Sequence, residues 1–130
     1  MAGNGTRVVL VEDYADTAAV LAQLLRMEGY LVQTACDGSS ALELIERFEP
    51  RFVLLDVGLP DTSGAGLALW LRERYGDQIV LIAITGLPRD GFGVEDALGI
   101  VDHHLHKPVE PDALLALLAA AGERDPEPSA

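Results

Sequence analysis

Three stretches of this chain, RVVLV (7–11), FVLL (52–55) and IVLIAI (79–84), are apolar throughout apart from the leading arginine. A strand with one face in water alternates apolar and polar residues. An unbroken apolar run must be covered on both faces, which is the condition of a parallel sheet flanked by helices. The segments between these runs agree. Residues Tyr14–Glu28 carry leucines and Val20 at spacings of three and four, the period of an amphipathic helix, and Gly29 is placed to stop it.

The same reading continues along the chain. Leu31–Ala35 is a second strand and Gly38–Phe48 a second helix, ended by Pro50. Phe52–Leu55 is the third strand, Asp56–Ser63 a loop rich in Gly, Pro and Asp, and Gly64–Tyr75 a third helix. Ile79–Ile84 is the fourth strand. Leu87–Gly99 is expected to carry a fourth helix, shortened or loosened by Gly91 and Gly93. Asp102–His106 is a short fifth strand and Pro111–Ala121 a fifth helix. The result is one α/β domain over 7–121, with residues 1–6 and 122–130 expected to be disordered. At 130 residues there is room for a single domain.

Composition narrows the function. Twenty-one acidic residues against nine basic ones leave a net charge of −12, which disfavours direct contact with nucleic acid phosphates. No apolar run reaches the roughly 18–20 residues of a membrane span, and the leading MAGNGTR lacks the basic-then-apolar order of a signal peptide. The single cysteine, Cys36, permits no intrachain disulfide, in keeping with a cytoplasmic location. Of the nine basic residues eight are arginine, and the only lysine is Lys107. Either this is chance, or position 107 requires a compact primary ammonium.

In open parallel sheets, sites form beyond the carboxyl ends of the strands. Here those ends deliver Glu12 and Asp13, Asp56, Thr85 and Lys107. Three carboxylates in one crevice repel one another, so at least one should hold its proton unless a cation is present. A hard divalent ion that accepts oxygen ligands and keeps its waters, as Mg²⁺ does, would relieve the repulsion. A phosphoryl group on Asp56 would suit the set, its oxygens shared among Mg²⁺, Lys107 and Thr85. Singly, each residue has an ordinary explanation: Glu12 and Asp13 at a helix start, Asp56 in a turn with Gly58 and Pro60, Thr85 in a strand, Lys107 on the surface. Their coincidence at one edge is what needs explaining.

The segments VVLVED (8–13), LLDVGLPDTSG (54–64), AITG (83–86) and HLHKPV (104–109) resemble, in order and spacing, the receiver domains of two-component response regulators. The resemblance covers about residues 7–121. It implies a flavodoxin-like fold with a five-stranded parallel sheet of order 2-1-3-4-5 and helices on both faces. It implies that Asp56 is the phosphoacceptor, receiving a phosphoryl group from a histidine kinase or a histidine phosphotransfer domain. Glu12, Asp13, Asp56 and the carbonyl of Gly58 would hold Mg²⁺, with Glu12 standing where many relatives have Asp and acting through water. Thr85 and Lys107 would bind the phosphoryl oxygens, Gly86 would leave room for the donor, and Lys107–Pro108 would be a cis bond. Thr85 and position 104 would form the switch. That position, aromatic in many receivers, is His104. The three histidines 103, 104 and 106 invite a zinc reading, but no cysteine or further histidine supports one, and packing on an edge strand is the expectation.

Competing functions fare less well. An aspartate-based phosphatase needs a second acid two residues past its nucleophile, where this chain has Gly58. A nucleotide- or flavin-binding domain needs a phosphate cradle, where this chain has the acidic EDYAD (12–16). A phosphorylation-independent interaction module on the same fold would not require Asp13, Asp56, Thr85 and Lys107 together. DHHLHKP (102–108) also resembles receivers fused to sensor histidine kinases, so a stand-alone regulator and a piece of a hybrid kinase both stay open. The expected chain catalyses only its own phosphorylation and dephosphorylation, and the output passes through an unnamed protein partner. From Asp90 to Gly122 the chain carries six acids and no permanent cation but Lys107. Charge-matched dimerisation through that face is therefore not expected, leaving a monomer or weak dimer.

Overall fold

The computed structural model describes residues 5–56, 64–85, 101–107 and 109–123. Five strands, β1 (Arg7–Val11), β2 (Leu31–Ala35), β3 (Phe52–Asp56), β4 (Val80–Thr85) and β5 (His103–His106), form one parallel sheet of order β2-β1-β3-β4-β5. The helices are α1 (Ala15–Met27), α2 (Gly38–Phe48), α3 (Gly64–Tyr75) and α4 (Pro111–Glu123). The expected fold class and strand order are both found. The helix expected over Leu87–Gly99, the loop after Asp56 and the Lys107–Pro108 bond lie outside the described residues.

The unbroken apolar strands supply two cores, one on each face. Val8, Leu10, Phe52, Leu54, Ile82 and Ile84 point to one side. There they meet Ala18, Leu21, Ala22 and Leu25 of α1, at the helical spacing read from the sequence, and Leu114 and Leu118 of α4. Val9, Val11, Val53, Leu55 and Leu81 point to the other, against Ala41 and Ile45 of α2 and Leu67, Ala68 and Leu71 of α3. Burial of each such side chain contributes about 1.5–3 kcal/mol before chain entropy is charged against it.

Local chemistry ends and starts the helices. Gly29 takes φ 96°, a conformation that other residues resist, and closes α1 with two backbone bonds, Gly29 N–H to Arg26 O and Tyr30 N–H to Leu25 O. Asp37 opens α2 by accepting the Ser40 N–H at 2.9 Å, which holds its carboxyl below the usual range.

Several boundaries differ from the sequence reading for identifiable reasons. Helix α1 begins at Ala15 because the Tyr14 N–H is drawn to the Glu12 carboxylate. Strand β3 runs one residue further, taking Asp56 into the sheet. A single 3₁₀ turn, Gly76–Gln78, pushes the start of β4 to Val80. Asp102 is not a strand residue, since its carboxylate accepts the Leu81 N–H and the Arg72 guanidinium. At the leading end, Gly5 and Thr6 are not loose: Gly5 N–H donates to Gly29 O and Thr6 O accepts from Leu31 N–H. At the other end, α4 extends two residues past Ala121.

Candidate functional site

Strand pairing assembles the site. Val11 lies opposite Leu55, so Glu12 leaves β1 beside Asp56 at the end of β3. Thr85 closes β4 one residue beyond the partner of Asp56, and it lies opposite His106, so Lys107 leaves β5 next to it. The sheet thus brings Glu12, Asp13, Asp56 and Lys107 together. Carboxylate oxygens of Glu12, Asp13 and Asp56 lie within 4.8 Å of one another. The Lys107 ammonium donates to Asp56 Oδ2 at 3.1 Å and sits 3.7 Å from Glu12 Oε1. The Thr85 side chain, Gly58 and Gly86 lie outside the described residues.

Burial decides the electrostatics. Glu12 is 1% exposed and Asp56 4%, whereas Asp13 faces solvent. Burial pushes the Glu12 carboxyl up to about 7, and the Asp56 carboxylate adds to the rise, against the Tyr14 N–H and the Lys107 charge. Partial burial pulls the Lys107 ammonium down. The hydrogen bond and charge of Asp56, with the charges of Glu12 and Asp13, outweigh it and hold Lys107 above its ordinary value. The carboxyl raised is thus Glu12, and burial does more to raise it than carboxylate crowding.

One Glu12 oxygen accepts the Tyr14 N–H at 3.2 Å, while the other, Oε1, is buried and accepts no hydrogen bond. An unsatisfied buried carboxylate oxygen costs free energy unless something positive approaches it. One carboxylate oxygen each from Glu12, Asp13 and Asp56, gathered within 4.8 Å, makes a donor set that suits a hard divalent cation. Beside Lys107 and Glu12 a cleft of about 400 Å³ opens against α1, lined by Asp16, Val20, Leu21, Ile84 and Val109. The backbone amide of Tyr14, which orients Glu12, left no signal in the sequence, because any residue other than proline supplies it.

His104 does not pack inward. It and His106 are exposed on β5, their rings edge to face with centroids 5.5 Å apart.

The family model of the response regulator receiver domain matches residues 8–119. The chain belongs to this family. Among curated relatives, the receiver domain is 33% identical over 126 residues to the transcriptional regulatory protein TcrA of Mycobacterium tuberculosis, covering 96% of this chain and 49% of TcrA. It is 32% identical over 116 residues to protein Rrf1 of Nitratidesulfovibrio vulgaris, covering 88% of this chain and 81% of Rrf1. The chain thus spans about half the length of TcrA and most of Rrf1. Among solved structures, a CheY-like receiver domain from Methanospirillum hungatei superposes with a TM-score of 0.85 at 26% identity, over 92% of this chain and 95% of that one. The BeF₃-activated receiver domain of RstA from Klebsiella pneumoniae gives 0.79 at 29% identity, over 88% and 97%. Among the described residues, no helix of the receiver domain is long and apolar enough to cross a membrane.

Proposed function

We propose that Asp56 is the phosphoacceptor of this receiver domain. The observation that carries the reading is the Lys107 ammonium, the chain's only lysine, bonded at 3.1 Å to a nearly buried Asp56 that shares its pocket with two further carboxylates. An Asp56 oxygen attacks the phosphorus of a phosphohistidine on a histidine kinase or phosphotransfer domain. The new O–P bond forms as the P–N bond breaks, and its electron pair leaves with the imidazole. Lys107 neutralises phosphoryl oxygen charge in a site with little water to do so.

Glu12, Asp13 and Asp56 would hold Mg²⁺, with the Gly58 carbonyl implied by the resemblance; when bound, the ion supplies further positive charge to the phosphoryl oxygens. Glu12 would give up its proton on taking part in holding the ion. Thr85, from the end of β4, and His104, from β5, relay the modified state to a protein partner. The domain would catalyse its own phosphorylation and dephosphorylation and no other reaction, in the cytoplasm, as a monomer or weak dimer.

Mass spectrometry after acetyl phosphate or phosphoramidate treatment with Mg²⁺ tests the reading. The wild-type chain gains one phosphoryl group, and Asp56→Asn gains none. An adduct that persists in Asp56→Asn refutes the assignment.

A further inference from the structure

We infer that Asp102 is a positioning residue for Lys107: by bonding both backbone groups of Leu81 in β4, it fixes the register of β5 and with it the place of the ammonium. The inference rests on the reading of Asp56 as phosphoacceptor and deepens it, because it names what keeps that residue's cation in reach. Little else in β5 specifies its alignment. The strand is the outermost of the sheet and four residues long. Its sequence, HHLH, holds one apolar side chain, Leu105, partly buried against the core. Register is strongly set where an apolar pattern must face the core, and weakly where that pattern is missing.

Asp102 supplies what the pattern lacks. Its backbone N–H donates to Leu81 O at 2.9 Å, and its carboxylate accepts the Leu81 N–H at 2.9 Å. Both polar groups of one β4 residue are thus engaged, so the contact selects Leu81 and not its neighbours. Leu81 is fully buried, and a shifted β5 would leave its N–H without that acceptor, which is costly. From α3, the Arg72 guanidinium donates to the same carboxylate oxygen at 2.8 Å and holds it in place. Only the four residues of β5 separate Asp102 from Lys107. His106 lies opposite Thr85, and Lys107, the next residue, reaches Asp56 Oδ2 at 3.1 Å. A slip of one residue would turn Lys107 to the other face of the sheet. A slip of two would restore the face but carry Lys107 about 6–7 Å along the strand, too far for that contact. In either case Asp56 loses its cation although every residue of the site is still present.

Lys107 is the chain's only lysine, so ¹³Cε-lysine labelling of the untagged protein gives a single NMR signal to follow. Asp102→Ala should shift that signal toward the position of free lysine and, with Mg²⁺ present, weaken BeF₃⁻ binding about tenfold or more. Where the alanine variant does not fold, Asp102→Leu, which keeps the bulk without an acceptor, serves the same test. Asp102→Asn retains an oxygen for the Leu81 N–H and should keep both the signal and the affinity. Arg72→Ala should keep both as well, while lowering stability. A lysine signal that stays in place when the Asp102 acceptor is removed overturns the inference. So does an Arg72→Ala variant that shifts the signal and weakens BeF₃⁻ as far as Asp102→Ala, since the loss would then follow stability alone. The lysine signal is read without BeF₃⁻, so the two readings fail separately. A parent chain that binds no BeF₃⁻ counts against Asp56 as phosphoacceptor, and an unmoved lysine signal counts against Asp102.

Discussion

At the amino edge of the sheet, arginines close the structure by bonding backbone carbonyls. Arg7 Nε donates to Glu49 O, Arg26 to Val32 O, and Arg51 to Asp77 O and Gln78 O. Arg72 donates to Gly76 O and Ile79 O and to the Asp102 carboxylate, which in turn accepts the Leu81 N–H. At the carboxyl edge the pattern reverses. Among the described residues, three carboxylates face one ammonium, one buried oxygen accepts no hydrogen bond, and one carboxyl is pushed up to about 7. The guanidinium suits the first task because it is always charged and presents five donors. The carboxylates suit the second because crowding makes their charge negotiable. One edge is spent on stability and the other is left short of positive charge, which is the condition for taking up a cation and a phosphoryl group.

The largest test of this contrast is pH. The Glu12 carboxyl is raised from 4.5 to about 7 on folding, so the folded chain keeps a proton that the unfolded chain has released. Its contribution is full below the unfolded value and is lost as pH rises through the folded one, by about 3 kcal/mol in all. In EDTA, chemical denaturation at pH 5 and pH 8 should show this loss relative to Glu12→Gln, and Mg²⁺ should restore stability mainly at the higher pH. Equal slopes for the two chains would mean that the carboxyl edge is not short of positive charge.

Next comes a paired substitution. Arg72→Ala strips three acceptors of their donor and should cost about 2 kcal/mol. Asp56→Asn, in EDTA, should cost nothing or stabilise by up to about 1 kcal/mol, because it removes repulsion. If both variants lose the same amount in denaturant, the two edges are not different in kind.

A smaller effect is expected of Lys107→Arg. A cation still faces Asp56, so stability should stay within about 0.5 kcal/mol of the parent. A planar fork places its charge differently from an ammonium, however, so titration with BeF₃⁻ should show weaker binding. Unchanged affinity would reduce the lone lysine to coincidence. Least affected should be Arg7→Ala, which loses a single exposed bond to Glu49 O and should shift the denaturation midpoint by the equivalent of about 0.5 kcal/mol or less.

The carboxyl edge was legible in the sequence because its chemistry sits at strand ends, and strands announce themselves by unbroken apolar runs. Glu12, Asp56 and Lys107 could be aligned before any coordinates. The amino edge was not legible. Its arginines act on carbonyls distant in sequence, such as Arg7 on Glu49 and Arg51 on Gln78, and any residue offers a carbonyl. Asp102 was read as strand because alternation says nothing of a side chain that turns back to bond the Leu81 N–H and Arg72. The exposure of His104 was missed for a related reason: a strand pattern tells which residues share a face, but not which face the next layer covers.

The charged members of the carboxyl edge arrive on three parts of the chain, Glu12 and Asp13 after the first strand, Asp56 on the third and Lys107 after the fifth. The first two can meet once the centre of the sheet has formed, but the ammonium comes with its last strand. A polypeptide whose synthesis halts before residue 103 therefore displays Asp56 without its counter-charge. Competence at this edge doubles as a report that translation and folding have both run to the end of the sheet.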